Sequence, residues 1–198
     1  GDVTGLVAGH PATIRSFYDD TAAVQFDAKV LSCIEGIDAI STGSESLDNA
    51  THAIVLDRTL FYPEGGGQLS DHGVLSDGST SVRVVDVQID GDVILHLTDG
   101  PLATGSVHGE IDWSRRKQLM DHHTAVHIVG GAARQILGDH IWQAGSNKGA
   151  RYARLDITHH SRLEREVLDA IEDLANEVVA SSPTVEKLLI PRAEADAN

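Results

Sequence analysis

Two histidines four residues apart, His123 and His127, form the pattern in this sequence with the clearest chemical meaning. An α-helix has about 3.6 residues per turn, so side chains at positions i and i+4 lie on one face. Two imidazoles placed in this way can share one metal ion, and zinc sites commonly use His and Cys. The spacing alone is more often found between ordinary surface or core histidines. The glutamate of the metalloprotease pattern His-Glu-x-x-His is also missing.

A second group of candidate residues lies upstream, in the segment TLFYPEGGGQLSD that begins at Thr59. Its three glycines permit positive φ and a close approach of the backbone to a ligand, although such a run is more often a plain turn. Thr59 offers a hydroxyl that can donate and accept hydrogen bonds, but threonine is also an ordinary strand residue.

A third group follows the histidine pair. Gln143 and Ser146 belong to the segment QAGS, where the glutamine amide can serve an ester or a water, and where a solvated loop is the simpler interpretation. Arg154 and Asp156 alternate along a predicted strand, which favours a structural ion pair over catalysis.

Four segments follow one another in the order TLFYPEGGGQLSD, HHTAVH, QAGS and RLDITH. Together they resemble the editing region of alanyl-tRNA synthetases, especially the archaeal type, and their free-standing relatives. The resemblance covers nearly all of residues 24 to 192. It implies an aminoacyl-tRNA deacylase that removes wrongly attached serine or glycine from tRNA(Ala). The implied parent protein is an ATP-dependent alanine–tRNA ligase whose activation domain lies upstream. The implied partners are the mischarged tRNA(Ala) and the remainder of the synthetase chain, with no membrane.

The resemblance also assigns roles to individual residues. It implies zinc as the cofactor, with His123 and His127 as ligands. The implied pocket residues are Gly65, Gly66, Gly67 and Ser146. The implied catalytic residues are Thr59, Gln68 and Gln143, with the Thr59 hydroxyl meeting the serine side chain. The histidine that follows the RLDIT strand in the family corresponds to His159, and His160 is expected at the surface.

The family's metal site is completed by a Cys and a His in the pattern CxxxH, which this sequence lacks. Its single cysteine, Cys33, does not match that pattern, and neither Cys nor His follows His160. The sequence therefore predicts a chain truncated before its CxxxH. Three alternatives stay open: a binding-only tRNA-recognition module, an unrelated metal-dependent hydrolase, and the editing module of threonyl-tRNA synthetase. The TLFYP and GGQ residues argue against the last.

The elements that must position these residues follow from hydrophobic periodicity. Alternating apolar and polar residues predict short strands at 24–34, 53–60, 82–88, 93–97 and 107–111, and Asp90-Gly91 is typical of a hairpin turn. The Gly-, Ser- and Asp-rich segment 35–50 is predicted as a loop. We therefore predict an α+β fold with a small antiparallel β-barrel over residues 24–111, which carries the glycine-rich loop. Residues 1–23 are predicted as a linker or the end of an upstream domain.

Residues 112–198 are predicted as an α+β editing domain. A helix with an apolar stripe begins at Asp112 or Ser114 and ends at Gly138, and 151–157 form a strand. Ser161 to Glu164 match a capping box that opens a second helix, and 185–190 form a last strand. The resemblance implies that this half is the metal-binding second additional domain shared by threonyl- and alanyl-tRNA synthetases.

Charge argues against a nucleic-acid partner, since 30 acidic and 15 basic residues give a net charge of −15. A halophilic cytoplasm would reduce the repulsion, because the Debye length falls to about 3 Å in molar salt. Arg115, Arg116 and Lys117 form a compact basic cluster. Two interpretations fit it, a binding surface for tRNA phosphate and a solvent-exposed start of a helix.

There is no long apolar run and no visible signal peptide, and the lone cysteine fits a reducing cytosol, so a cytoplasmic protein is expected.

Overall fold

The computed structural model describes residues 7, 9–36, 50–184 and 191. The strands of this part are β1 (Ile14–Arg15), β2 (Gln25–Glu35), β3 (His52–Leu56), β4 (Arg58–Thr59), β5 (Gly73–Ser76), β6 (Ser81–Asp90), β7 (Val93–Thr98), β8 (Gly105–Ile111), β9 (Gln143–Lys148) and β10 (Ala153–Ile157). The α-helices are α1 (Trp113–Leu137) and α2 (Arg165–Ala180). Most of the predicted loop at 35–50 and the predicted strand at 185–190 lie outside the described residues.

Six strands form a closed antiparallel barrel in the order β2-β3-β7-β6-β5-β8, which confirms the predicted barrel. The hairpin between β6 and β7 turns at Gly91, whose φ is +61°, as its Asp-Gly sequence predicts. The sequence did not predict β5, which closes the barrel between β6 and β8. At one end of β2, Gln25 pairs with Glu110 of β8, and further along Cys33 pairs with Ile54 of β3.

The predicted strand 53–60 is interrupted at Asp57. Its carboxylate accepts the backbone N–H of Lys29 at 2.8 Å, while its own N–H donates to the Lys29 carbonyl at 3.1 Å. The chain leaves the barrel there, and β4 pairs in parallel with β1 instead. Thus Ile14 and Arg15, in the segment predicted as a linker, are paired with Arg58 and Thr59, and Phe17 is buried in the barrel core.

The barrel has apolar residues on both faces of β3 and β7. Ile54 and Leu56 belong to the interior cluster, whereas Ala53 and Val55 belong to a second cluster. All six residues of β7 are buried. A strand buried on both faces shows an unbroken apolar run rather than alternation, as the sequence around AIVL does here.

The first turn of α1 is fixed to the segment after the glycine-rich loop by a buried ion pair. The guanidinium Nε of Arg116 lies 2.9 Å from both carboxylate oxygens of Asp71, and Arg116 also donates to the carbonyl of Leu60. Arg116 is 3% exposed and Asp71 is fully buried. Arg116, the central residue of the predicted basic cluster, is therefore buried rather than solvated, and Lys117 pairs with Asp121.

The helix α1 begins and ends where its sequence predicts. The Asp112 carboxylate accepts the N–H of Arg115 at 3.1 Å, as an N-cap does, and Gly138 terminates the helix with a φ of +108°. The predicted capping box of α2 is wrong. The helix starts at Arg165 behind Glu164 without a side-chain cap, because the Ser161 hydroxyl lies 3.3 Å from Nε2 of His159 instead.

The chain divides into two compact units, residues 1–126 with 143–156, and residues 127–142 with 157–198. The first contains the barrel. The second has its own apolar cluster, built from residues of α1 and α2 that include Ala132, Ala133, Ile171 and Ala175. Within the described residues, no helix is long and apolar enough to cross a membrane.

Candidate functional site

The glycine-rich loop forms a tight two-residue turn. Gly65 and Gln68 exchange both backbone hydrogen bonds, at 3.1 and 2.9 Å. The two residues between them, Gly66 and Gly67, have φ values of +59° and +76°. Positive φ at both central positions is the geometry of a type I′ turn, for which glycine is strongly preferred. The glycines are therefore required by the backbone conformation.

This turn packs directly against β9. The carbonyl of Gly67 accepts the N–H of Lys148 at 2.7 Å, and the carbonyl of Lys148 accepts the N–H of Leu69 at 3.2 Å. A Cβ atom on Gly67 would collide with the backbone oxygen of Ser146. Gly67 is consequently the position at which the loop and β9 approach most closely, and the packing itself excludes any side chain there.

A chain of polar side chains runs along β9 to the turn. The Gln143 amide donates to the Ser146 hydroxyl at 3.0 Å, and the ammonium of Lys148 donates to that hydroxyl at 2.6 Å and to the Gly66 carbonyl at 2.7 Å. Lys148 is 1% exposed, and desolvation lowers the pKa of its ammonium. The structure therefore brings Gln143, Ser146 and the glycines together around a lysine that sequence reasoning did not single out.

The same loop also contacts the histidine of α1. Nδ1 of His123 lies 2.7 Å from Oε1 of Gln68, and because an amide oxygen can only accept, His123 donates from Nδ1. In the neutral ring the lone pair is then on Nε2. A ligating histidine usually gives its other N–H to an acceptor in this way, which fixes its tautomer and orientation. This hydrogen bond thus joins Gln68 to His123, although the two residues are 55 positions apart in the sequence.

The second histidine of the pair, His127, is an exposed residue of the same helix. Their spacing of four residues within α1 agrees with the prediction that both imidazoles share one helix face. Between them in sequence, Val126 is buried. The adjacent His122 is engaged elsewhere, since its Nδ1 donates to the Gly149 carbonyl at 2.7 Å.

The side chain of Thr59 is hydrogen-bonded in the interior of the barrel. It is fully buried, its hydroxyl donates to Nε2 of His96 at 2.8 Å, and its oxygen accepts the N–H of Phe61 at 3.0 Å. The other nitrogen of His96, Nδ1, donates to the Ile54 carbonyl at 3.0 Å. The hydroxyl proton of Thr59 is thus already used inside the barrel, which differs from the contact with a substrate hydroxyl that the resemblance implies.

Burial of His96 makes the protein sensitive to acid. Desolvation lowers the pKa of His96 to about 4, whereas the unfolded chain has the ordinary value of about 6.5. Below pH 6.5 His96 is therefore protonated in the unfolded state, whereas it stays neutral in the native state until the pH nears 4. The free energy of unfolding consequently falls as pH falls. Between pH 7.5 and 5 we expect a loss of roughly 2 kcal/mol from His96 alone.

The measurement is urea unfolding as a function of pH in a His72→Gln background. Burial also lowers the pKa of His72 to about 4, so the His72→Gln background removes the second large contribution of this kind. A free energy of unfolding that stays constant between pH 7.5 and 5 would contradict a neutral, buried His96.

Comparison with known proteins places the sequence of this chain in a family. A family model described as tRNA synthetases class II (A) matches residues 6–115, which is more than half of the 198 residues. The chain belongs to the class II tRNA synthetase (A) family. Members of this family align with nearly the whole chain. The alanine–tRNA ligase of Ignicoccus hospitalis is 45% identical over 190 residues, which is 96% of this chain and 19% of that protein.

Two further relatives give the same result. The alanine–tRNA ligase of Natronomonas pharaonis is 42% identical over 193 residues, covering 97% of this chain and 20% of the relative. The alanine–tRNA ligase of Pyrococcus furiosus is 44% identical over 194 residues, covering 96% of this chain and 20% of the relative. The chain therefore spans about a fifth of the length of the curated relatives it matches. These similarities agree with the resemblance to alanyl-tRNA synthetases, and the family model covers the barrel and the glycine-rich loop.

Proposed function

We propose that this chain is the editing part of an alanyl-tRNA synthetase, which hydrolyses Ser-tRNA(Ala) or Gly-tRNA(Ala). The observation that carries the proposal is the hydrogen bond between Gln68 and His123. It joins the glycine-rich block to the HxxxH helix, so two of the four segments behind the resemblance meet in space. The alanine–tRNA ligase relatives support the same assignment, since their similarity includes both segments.

The bond to be cleaved is an ester between the amino acid and the terminal ribose, and water must attack its carbonyl. In this proposal Gln143, Ser146 and the turn at Gly65–Gly67 line the aminoacyl pocket. Zinc, when bound, would polarise the carbonyl, orient the amino acid or activate the water. His123 would supply Nε2 to it, since Nδ1 is held by Gln68. His127 would supply the second imidazole from the same helix.

The buried lysine has a positioning role in this scheme. Lys148 holds Ser146 and the carbonyl of Gly66 through the same ammonium group. It thereby ties the pocket side of β9 to the turn, and it adds positive charge beneath a pocket in which the attacked carbonyl oxygen gains negative charge. The net charge of the chain, −15, makes such a local cation more important for an anionic substrate.

The direct experiment compares deacylation of Ser-tRNA(Ala), Gly-tRNA(Ala) and Ala-tRNA(Ala) by the chain with added Zn²⁺. We expect release of serine to exceed release of alanine, because a pocket that pairs with the substrate hydroxyl discriminates in this direction. The rate for glycine shows whether the methyl group of alanine is itself disfavoured. Equal rates for serine and alanine would contradict the editing proposal.

The alternative of a binding-only module rests on the number of visible metal ligands. Stable zinc sites use three or four protein ligands, and the HxxxH pair supplies two. We therefore expect this pair to hold well under one equivalent of zinc after dialysis. Binding of tRNA(Ala) without any deacylation, at saturating Zn²⁺, would favour recognition without catalysis.

The position of Thr59 gives a separate prediction. Thr59→Val keeps the volume but removes the hydroxyl, leaving Nε2 of His96 and the N–H of Phe61 unpaired inside the barrel. We expect the free energy of unfolding to fall by about 1–3 kcal/mol, the cost of leaving buried polar groups without a partner. Thr80→Val, on an exposed turn, is the matched control and should cost little.

Urea unfolding of both valine variants measures this difference, and equal stability would contradict the interior role of Thr59. Deacylation by the folded Thr59→Val protein tests the role implied by the resemblance. A reduced preference for serine over alanine would support contact between the Thr59 hydroxyl and the substrate.

A further inference from the structure

Three histidines that are not part of the proposed editing site lie close together in the second compact unit. They are His140, between α1 and β9, and the consecutive pair His159 and His160, which follow β10. One ring nitrogen of each lies within 4.8 Å of the others. His140 and His160 are exposed and His159 is half-buried, so an ion in solvent can reach all three.

The distance between two of these nitrogens suits a shared metal ion. Nε2 of His140 lies 3.1 Å from Nδ1 of His159. Imidazole nitrogens bind zinc at about 2.0–2.1 Å, which puts two ligands of a tetrahedral ion about 3.3 Å apart. Without an ion, one of the two rings must donate a proton to the other. With an ion, both present a lone pair, and His140 carries its proton on Nδ1.

The backbone that carries these rings is held by hydrogen bonds around Thr158. Its hydroxyl donates to the His140 carbonyl at 2.7 Å and accepts the N–H of Trp142 at 2.8 Å, and its own N–H donates to the Trp142 carbonyl at 2.9 Å. The loops that carry His140 and His159 are therefore fixed to each other beside the rings. Such a framework lowers the entropic cost of bringing the ligands together.

Ser161 orients the central ring. Its hydroxyl lies 3.3 Å from Nε2 of His159, so it can accept a proton from that nitrogen. With the proton on Nε2, Nδ1 is the atom that faces His140 with a lone pair. A hydrogen bond to the non-ligating nitrogen is the usual support of a metal-binding histidine.

We infer that His140, His159 and His160 bind one divalent transition-metal ion of the kind that prefers imidazole, such as Zn²⁺ or Cu²⁺. His140 and His159 supply the preformed pair, and rotation of the exposed His160 side chain supplies the third nitrogen. The ion would link the connection after α1 to the connection before α2. This site shares no ligand with the pair His123 and His127.

The test is calorimetric titration of untagged protein with Zn²⁺ at pH 7.5. A His123→Ala/His127→Ala background removes the helix pair, so only other sites contribute. We expect about one equivalent of Zn²⁺ to bind. Adding His140→Ala should weaken binding by more than about tenfold, the scale seen even for loss of an outer-sphere partner. Adding His108→Ala, an exposed barrel histidine paired with Asp27, should change nothing.

A second readout locates the ion. Substoichiometric Cu²⁺ should broaden the amide NMR signals of residues 139–142 and 157–161 before any others. The dispersion of the amide signals before Cu²⁺ is added shows whether the variants are folded. The inference is overturned if the background protein binds no Zn²⁺, or if His140→Ala binds it as tightly as the background. Neither result depends on whether the chain deacylates tRNA.

Discussion

Deacylation of Ser-tRNA(Ala) is expected to fall by about 10²–10³-fold when either His123 or His127 is replaced by alanine. Lewis-acid stabilisation by a metal is worth several kcal/mol in the transition state, and each 1.4 kcal/mol corresponds to about tenfold in rate. The two residues would act on one ion, so their effects are not additive. The double variant should therefore be no slower than either single variant.

Single-turnover deacylation at saturating Zn²⁺ measures these rates. His108→Ala is the matched control, because it also removes an imidazole, but from the exposed face of β8. Circular dichroism of each variant establishes that the fold is kept. If His127→Ala retained a rate near that of the wild type, the helix pair would not be the metal site, and the binding-only function would be preferred.

Stability is expected to fall by about 3–5 kcal/mol in Arg116→Met, the range for breaking a buried ion pair by removing one partner. The methionine fills much of the space, but it leaves the fully buried carboxylate of Asp71 without its countercharge. The carboxylate would keep one strong hydrogen bond, from the N–H of Tyr62 at 2.6 Å. One such bond does not replace the guanidinium, so most of the desolvation cost remains.

The control for this variant lies on the same helix. Lys117 and Asp121 form an exposed pair at 2.6 Å, so Lys117→Met removes an ion pair of similar length in water. Exposed pairs of this kind contribute about 0.3–0.5 kcal/mol. Urea unfolding should therefore separate the two methionine variants clearly. An Arg116→Met protein that is as stable as Lys117→Met would show that the Asp71 carboxylate finds solvent or another partner.

Much of the fold follows from sequence patterns, and its exceptions have local causes. Alternation predicts the long barrel strands, and the helix α1 is marked at its ends by Asp112 and Gly138. The short strand β5 was not predicted, because four residues give too little periodicity. The break at Asp57 depends on a tertiary hydrogen bond to Lys29, which no local pattern contains.

The candidate site could be predicted only in part for the same reason. The glycine-rich loop and the HxxxH helix were recognised by their sequences, and the structure joins them through Gln68 and His123. Lys148 carries no local signal, since a lysine near a strand end is normally exposed. The sequence predicts Arg116 as part of an exposed basic cluster, because no local pattern shows that Asp71 faces it.

The closure of the barrel has a consequence for how the protein is made. Its first strand, β2, hydrogen-bonds to its last, β8, so the ring of strands is complete only when residues about 80 positions apart have met. During synthesis, one edge of β2 stays unpaired until β8 has emerged from the ribosome. The helical second unit, by contrast, depends on nearer neighbours. A chaperone that shields strand edges would thus act on the β2 segment of the nascent chain, and slow translation just before Gly105 would prolong that exposure.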